Sequence, residues 1–85
     1  MNYTVTWLRT AEQQLATLWL RAMGKDAIAG YVDQIDRILA RDPLNQGESR
    51  NNRSRIAFFR PLCVRFVVDD IAKRVFVTSI KWVGR

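Results

Sequence analysis

The sequence predicts an α+β domain in the order β-α-α-β-β-β, with two antiparallel helices packed on a four-stranded, mostly antiparallel sheet. Its length of 85 residues indicates one domain, spanning residues 1–85. Alternating apolar residues, which indicate strands, occur at the N-terminus and in three runs after residue 52. Apolar residues at helical spacing fill the stretch between them, so strands and helices are segregated along the chain.

The first strand and the two helices follow from local patterns. Residues 2–7, NYTVTW, alternate strictly and predict a half-buried strand. Thr10 is placed as an N-cap, and Gln13 three residues on would complete a capping box for a helix of about 13 residues. Gly24 marks the break after this helix, and Asp26 is placed as the cap of the second helix.

The second helix has a continuous apolar stripe and a defined end. Asp42 precedes Pro43, and the residue before a proline is pushed out of the helical region, so the helix should end there. Residues 43–52 are rich in turn formers and predict a polar loop. The stripe consists of Ile28, Tyr31, Val32, Ile35, Ile38 and Leu39.

Three closely spaced strands are predicted at residues 53–59, 62–68 and 74–83. Their alternation predicts one face covered by the helices and a second, partly open face. We expect Arg53, Arg55 and Arg65 to lie together on the open face. In the last strand, Val75, Val77 and Ser79 are predicted to share one face.

Positive charge is concentrated in the strand-rich half. Residues 50–85 contain nine Lys and Arg but only two acids, whereas residues 1–49 contain five bases and six acids. A sheet with a cationic face suits a polyanion, and RNA is the first candidate. The alternative is a basic surface that only keeps the protein soluble.

Composition also predicts absences. The chain has one cysteine, Cys63, and no histidine, so neither a disulfide framework nor a Cys- or His-based metal site is expected, and we predict no cofactor. No apolar run approaches the length of a membrane span, and the N-terminus lacks the pattern of a secretion signal. We therefore expect a cytoplasmic protein with no membrane partner.

The segments described above also resemble the RelE/ParE superfamily, the toxins of bacterial type II toxin–antitoxin modules. The resemblance covers nearly the whole chain, although no single segment is a sharp motif. The segments that carry it are Val5-x-Trp7, Thr10-Ala11-x-x-x-Leu15-x-x-Leu18, Ile38-Leu39-Ala40-x-Asp42-Pro43, Arg55-Ile56, Pro61-Leu62-x-Val64-x-Phe66-x-Val68-Asp69 and Arg74-Val75-x-Val77-x-x-Ile80.

The resemblance implies a cytoplasmic toxin that is neutralised by a small antitoxin. RelE-like members cut mRNA on the ribosome, which would make this chain a metal-independent endoribonuclease. ParE-like members inhibit DNA gyrase and are not known as nucleases. A third alternative is a module that holds RNA on the sheet without chemistry.

The resemblance also implies roles for individual residues. Cys63 occupies the place where RelE-like nucleases have an arginine, and Arg65 on the same strand face is the candidate to replace it. The predicted catalytic residues are Arg65, Arg55 and Lys81, and the cluster offers no obvious proton acceptor. Trp82 is a candidate for stacking on a base, with packing or a partner contact as its alternative. The predicted RNA-binding residues are Arg53, Arg60, Arg74, Trp82 and Arg85, and the predicted antitoxin-binding residues are Leu15, Trp19 and Ile28.

Overall fold

The computed structural model describes residues 2–21, 25–50 and 53–84. Two helices and five strands follow one another, with a 3-10 turn at Pro43–Asn45. The elements are β1 (Thr4–Trp7), α1 (Arg9–Arg21), α2 (Lys25–Arg41), β2 (Glu48–Ser49), β3 (Ser54–Phe59), β4 (Leu62–Asp69) and β5 (Arg74–Trp82). The α+β class and the order of the predicted elements are confirmed.

The strands form one sheet in the order β1-β5-β4-β3-β2. β1 and β5 are parallel, and the other neighbouring strands are antiparallel. The prediction of four strands was wrong by one, because β2 forms within the predicted polar loop. A strand of two residues is too short to show alternation, and β2 is held by its pairing with Ile56 and Arg55 of β3.

The helix boundaries differ from the predicted caps. α1 begins at Arg9, and the carbonyl of Leu8 accepts the N–H of Glu12 at 2.9 Å, so Leu8 and not Thr10 occupies the N-cap position. Asp26 lies inside the first turn of α2, where its carboxylate still suits the positive end of the helix. Gly24 lies outside the described residues.

The hydrophobic core lies between the helices and one face of the sheet. β4 alternates as predicted: Leu62, Val64 and Phe66 are fully buried, whereas Arg65 is exposed. The core cluster comprises Ala11, Ile35, Leu39, Ala57, Leu62, Val64, Phe66, Val75, Val77 and Ile80. This arrangement leaves the opposite face of β3, β4 and β5 without a covering helix among the described residues.

A β-bulge in β5 changes which residues face the core. Arg65 of β4 pairs with Ser79, but the next residue, Phe66, pairs with Val77, so Thr78 is the extra residue. Val77 faces the core before the bulge and Ile80 faces it afterwards. The prediction that Ser79 shares a face with Val77 was therefore wrong, because one inserted residue inverts the alternation.

Two side-chain hydrogen bonds fix the bulge. The hydroxyl of Thr78 donates to the carbonyl oxygen of Arg65 at 3.1 Å. On the outer edge of β5, the N–H of Ile80 donates to Oε1 of Gln14 in α1 at 2.9 Å. β1 ends opposite Val77, so Gln14 satisfies a backbone donor that no strand reaches.

Polar contacts tie β1 to the rest of the domain. Nε1 of Trp7 donates to Oδ1 of Asp36 in α2 at 2.7 Å. The hydroxyl of Tyr3 donates to Asp70, which also pairs with Lys73 at 2.9 Å. These contacts lower the pKa of Asp70, with the Tyr3 hydrogen bond as the largest cause, and the same bond raises the pKa of Tyr3.

Candidate functional site

The open face of the sheet contains a concave depression of about 260 Å³, which we call the cationic cup. Three strands and the segments that flank them supply its walls. Cations, apolar groups and one hydroxyl occur together in it. The cup is lined by Arg50, Ile56, Phe58, Cys63, Arg65, Ser79, Lys81 and Val83.

The sheet register places the central side chains of the cup in two rows. Directly opposed residues of neighbouring strands project from the same face, so each row contains one residue from each of three strands. The rows are Ile56, Arg65 and Ser79, and Phe58, Cys63 and Lys81. The two cations are therefore diagonal neighbours with Cα atoms about 7–8 Å apart.

Positive charge in the cup is largely uncompensated. Arg65 and Lys81 are exposed, and no hydrogen bond or ion pair joins the charged group of either to another described residue. Arg50 pairs with Glu48 at 3.1 Å, but this pair is exposed and contributes little to stability. The cup therefore presents a field that attracts an anionic ligand.

The aromatic ring of Phe58 lies at the solvent boundary of the cup. Phe58 is 58% exposed, although an aromatic side chain of this size usually lies in a core. The guanidinium of Arg60, from the turn between β3 and β4, lies over the ring at 5.5 Å from its centroid. This geometry is a cation–π contact and adds a further positive charge beside the cup.

The bulge at Thr78 determines the third wall of the cup. Because it inverts the alternation, Ser79 and Lys81 project from the same face as Arg65, and Ile80 enters the core. The hydrogen bonds of Thr78 and Gln14 thus position Lys81, although neither residue lines the cup.

Arg55 does not join the predicted cluster. It pairs with Phe66, a core residue, and so lies on the face opposite Arg65. Its guanidinium donates to the carbonyl oxygens of Gln46 at 2.9 Å and Gly47 at 3.2 Å, and to the hydroxyl of Ser49 at 2.9 Å. The prediction that Arg55 shares one face with Arg65 was wrong, because Arg55 holds the turn that leads into β2.

Two of the predicted RNA-binding arginines lie away from the cup. Arg53 is exposed just before β3 and has a positive φ of 64°. Arg74 pairs with Asp69 at the far end of β5, about 16 Å along the strand from Ser79. Neither residue lines the cup.

The C-terminal pair of predicted RNA-binding residues does not line the cup either. Trp82 pairs with Leu62 and is 52% exposed on the face opposite Lys81. Arg85 lies outside the described residues. The predicted stacking role of Trp82 therefore has no support from its position on β5.

The residues predicted to bind an antitoxin are split between surface and core. Leu15 and Trp19 line a surface groove of about 480 Å³ on α1, together with Leu20, which is 81% exposed. Ile28 is 1% exposed and offers no surface to a partner, which corrects its inclusion. In the sequence, the apolar stripe of α2 is compatible both with a core position and with a partner contact for this residue.

Five cup residues were missed in the sequence, namely Arg50, Ile56, Phe58, Ser79 and Val83. Arg50 lies in a stretch that indicated only a polar loop, and Ser79 faces the cup only because of the bulge. Phe58 alternates with Ile56 in the sequence, a pattern that is typical of a core strand face. The one usable signal was the charge of residues 50–85, which predicted a cationic sheet face without identifying all of its members.

The cup can bind and stabilise negative charge, but the described residues of its lining include no carboxylate or imidazole that could accept a proton. Within the described ranges, no three Cys, Asp or Glu side chains lie close enough together to hold a metal ion. None of the described helices is long and apolar enough to cross a membrane.

No protein-family profile matches the chain, and no curated protein matches its sequence. Solved structures do match. One chain of the toxin–antitoxin complex RelBE2 from Mycobacterium tuberculosis has a TM-score of 0.81 and 21% identity, with 96% of this chain and 92% of that chain covered. The chromosomal ParDE system of P. aeruginosa gives a TM-score of 0.72 and 20% identity, with 96% and 97% covered.

The same fold also occurs within a longer chain. TrmO from Pseudomonas aeruginosa matches with a TM-score of 0.62 and 19% identity, over 94% of this chain but only 35% of that chain. At these identities the likenesses establish the fold. They confirm the predicted RelE/ParE fold.

Proposed function

We propose that this protein is the toxin of a type II toxin–antitoxin module and that it acts on RNA through the cationic cup. The observation that carries the proposal is the cup itself: Arg65, Lys81 and Arg50 surround a depression on the open face of a RelE/ParE fold. The toxin–antitoxin complexes with the same fold support the module.

The proposed reaction is cleavage of mRNA on the ribosome, as in RelE-like toxins. A ribose 2′-hydroxyl would lose its proton to water and attack the adjacent phosphate, which closes a 2′,3′-cyclic phosphate. The bond to the 5′-oxygen of the next nucleotide would break, and that oxygen would take up a proton from water. Arg65 and Lys81 would hold this phosphate and stabilise the charge that develops on its oxygens, because such chemistry depends mainly on positioning and electrostatic stabilisation. Within the described part of the cup no side chain is assigned as the proton acceptor.

The second candidate is inhibition of DNA gyrase, as in ParE-like toxins. One feature favours this candidate: among the described residues that line the cup, there is no carboxylate or imidazole. The likeness to the ParDE system is consistent with it. In this case the cup would serve as a binding surface only, as it would in a non-catalytic RNA-binding module.

An antitoxin partner is part of the proposal. The groove of α1 exposes Leu20 and is also lined by the half-buried Trp19, and an amphipathic segment could cover this surface. A disordered acidic segment could fold onto the groove and also neutralise the basic strands. Such binding should weaken only partly with salt, because the apolar contribution is not screened.

Expression of the chain alone in a bacterium tests the proposal. Growth should stop, with rapid loss of translation and cut mRNA. An induced DNA-damage response with translation intact would instead favour gyrase as the target. Normal growth at verified soluble expression would contradict the toxin proposal.

A further inference from the structure

The aromatic ring of Phe58 is more than half exposed and lies beside cations. It is 58% exposed, on a face that no described helix covers. A ligand that stacks on the ring would bury apolar surface that the protein leaves exposed.

The surroundings of Phe58 define the chemistry of that ligand. Arg60 lies over the ring, which places a delocalised cation and an aromatic ring side by side. Phe58 pairs with Cys63, whose other partner is Lys81, so Phe58 and Lys81 lie two strands apart, about 10 Å. Arg65 is the diagonal neighbour of Phe58, with its Cα atom about 7–8 Å away. An aromatic platform with phosphate-binding cations at this range suits a nucleotide whose base stacks while its phosphate pairs with a cation.

We propose that Phe58 is the base-stacking platform of the cup and that it holds one unpaired nucleobase of a single-stranded RNA while Arg65 and Lys81 hold an adjacent phosphate. Phe58 replaces Trp82 in this role, since Trp82 projects from the other face of β5. Stacking accepts any base, so the platform fixes the depth and orientation of the strand rather than its sequence. This inference rests on the proposed action on RNA.

Binding of two fluorescently labelled oligomers, measured by anisotropy at low salt, tests the platform. One is a 2′-O-methyl oligoribonucleotide of about ten residues, which cannot be cleaved through its 2′-position, and the other is its abasic counterpart with the same number of phosphates. The wild type should bind the base-containing oligomer more tightly. Phe58→Leu, which keeps an apolar side chain but removes the ring, should weaken that binding by about 5- to 150-fold and leave binding of the abasic oligomer unchanged.

Matched variants make the outcome interpretable. Phe58→Trp should retain the preference for bases, and Ile71→Ala should behave like the wild type, because Ile71 is 98% exposed in the hairpin between β4 and β5. If Phe58→Leu binds both oligomers as the wild type does, the platform is refuted while the RNA proposal stands. If the wild type binds neither oligomer, the proposed action on RNA fails together with the platform.

Discussion

Replacing Arg65 with alanine should separate the chemistry of the cup from the stability of the fold. The substitution removes an exposed guanidinium that no hydrogen bond or ion pair joins to another described residue. The free energy of unfolding should therefore change by less than about 0.5 kcal/mol. Loss of one charge-stabilising donor should reduce the rate of RNA cleavage by roughly 100-fold, or about 3 kcal/mol.

Arg55→Ala is the matched control, because it removes the same side chain from the other face. Three hydrogen bonds to Gln46, Gly47 and Ser49 disappear. Bonds that involve a charged donor contribute about 1.5–3 kcal/mol each when shielded, and partial exposure of this turn allows water to replace much of that. We expect a loss of about 2 kcal/mol, which lowers the midpoint of thermal unfolding by roughly 10 °C in a domain of this size.

Thermal unfolding followed by circular dichroism, together with cleavage of a model RNA, distinguishes the two variants. Arg65→Ala should keep its unfolding midpoint and lose cleavage. Arg55→Ala should unfold at a lower temperature, and its cleavage measured well below that temperature should stay closer to wild type than that of Arg65→Ala. The opposite pattern, with Arg55→Ala stable and inactive while Arg65→Ala cleaves normally, would show that the wrong face of the sheet has been assigned.

Three further predictions address the turn, the N-terminal strand and the α1 groove. Gly47→Ala should destabilise the domain strongly, because Gly47 has a φ of +67° and an added Cβ would lie 2.1 Å from the carbonyl oxygen of Ile56. Chemical denaturation measures this, and a midpoint equal to that of the wild type would contradict it. The hydrogen bond from Tyr3 is the main cause of the lowered pKa of Asp70 in the folded state. The charged carboxylate therefore stabilises the fold fully above its ordinary pKa of 3.8, and this stabilisation is lost as the pH falls through the folded-state pKa. Unfolding titrations from pH 7 to pH 2 should therefore show the gap between the wild type and Asp70→Asn closing in acid, and a constant gap would refute the linkage. Leu20→Ser should weaken binding of the antitoxin in calorimetry without lowering stability, since the side chain is 81% exposed, and unchanged affinity would exclude the groove.

The parts of the fold that local pattern determines were predicted well. The alternation of β4 matched because Leu62, Val64 and Phe66 are all large and apolar while Arg65 opposes them. The end of α2 at Arg41 matched because Pro43 restricts the residue before it.

The errors in the sheet share a physical cause, since each depends on how one strand pairs with another. In β3, Ile56 and Phe58 are more apolar than Arg55 and Ala57, yet the latter pair faces the core because Ala57 is aligned with Val64. Register is set by long-range pairing, and no property of residues 53–59 alone reveals it. β2 exists only because β3 offers it an edge.

The sequence predicted the positive charge of the candidate site but only some of the residues that form it. Arg65 and Lys81 were identified, because both lie in strands whose basic character is plain in the sequence. Arg50 was missed because it belongs to an irregular segment. Phe58 was missed because its alternation with Ile56 is the pattern of an ordinary core strand.

The bulge at Thr78 determines which face of the sheet each later residue of β5 occupies. If Thr78 were paired regularly instead of bulged, every later position of β5 would change face, so Lys81 would turn toward the helices and Ile80 toward solvent. An alignment without gaps between β5 and an unbulged strand would match residues of the cup with residues that face the core. Comparison of this protein with relatives of the same fold therefore has to align β5 by structure before any residue at 79–83 is given a role.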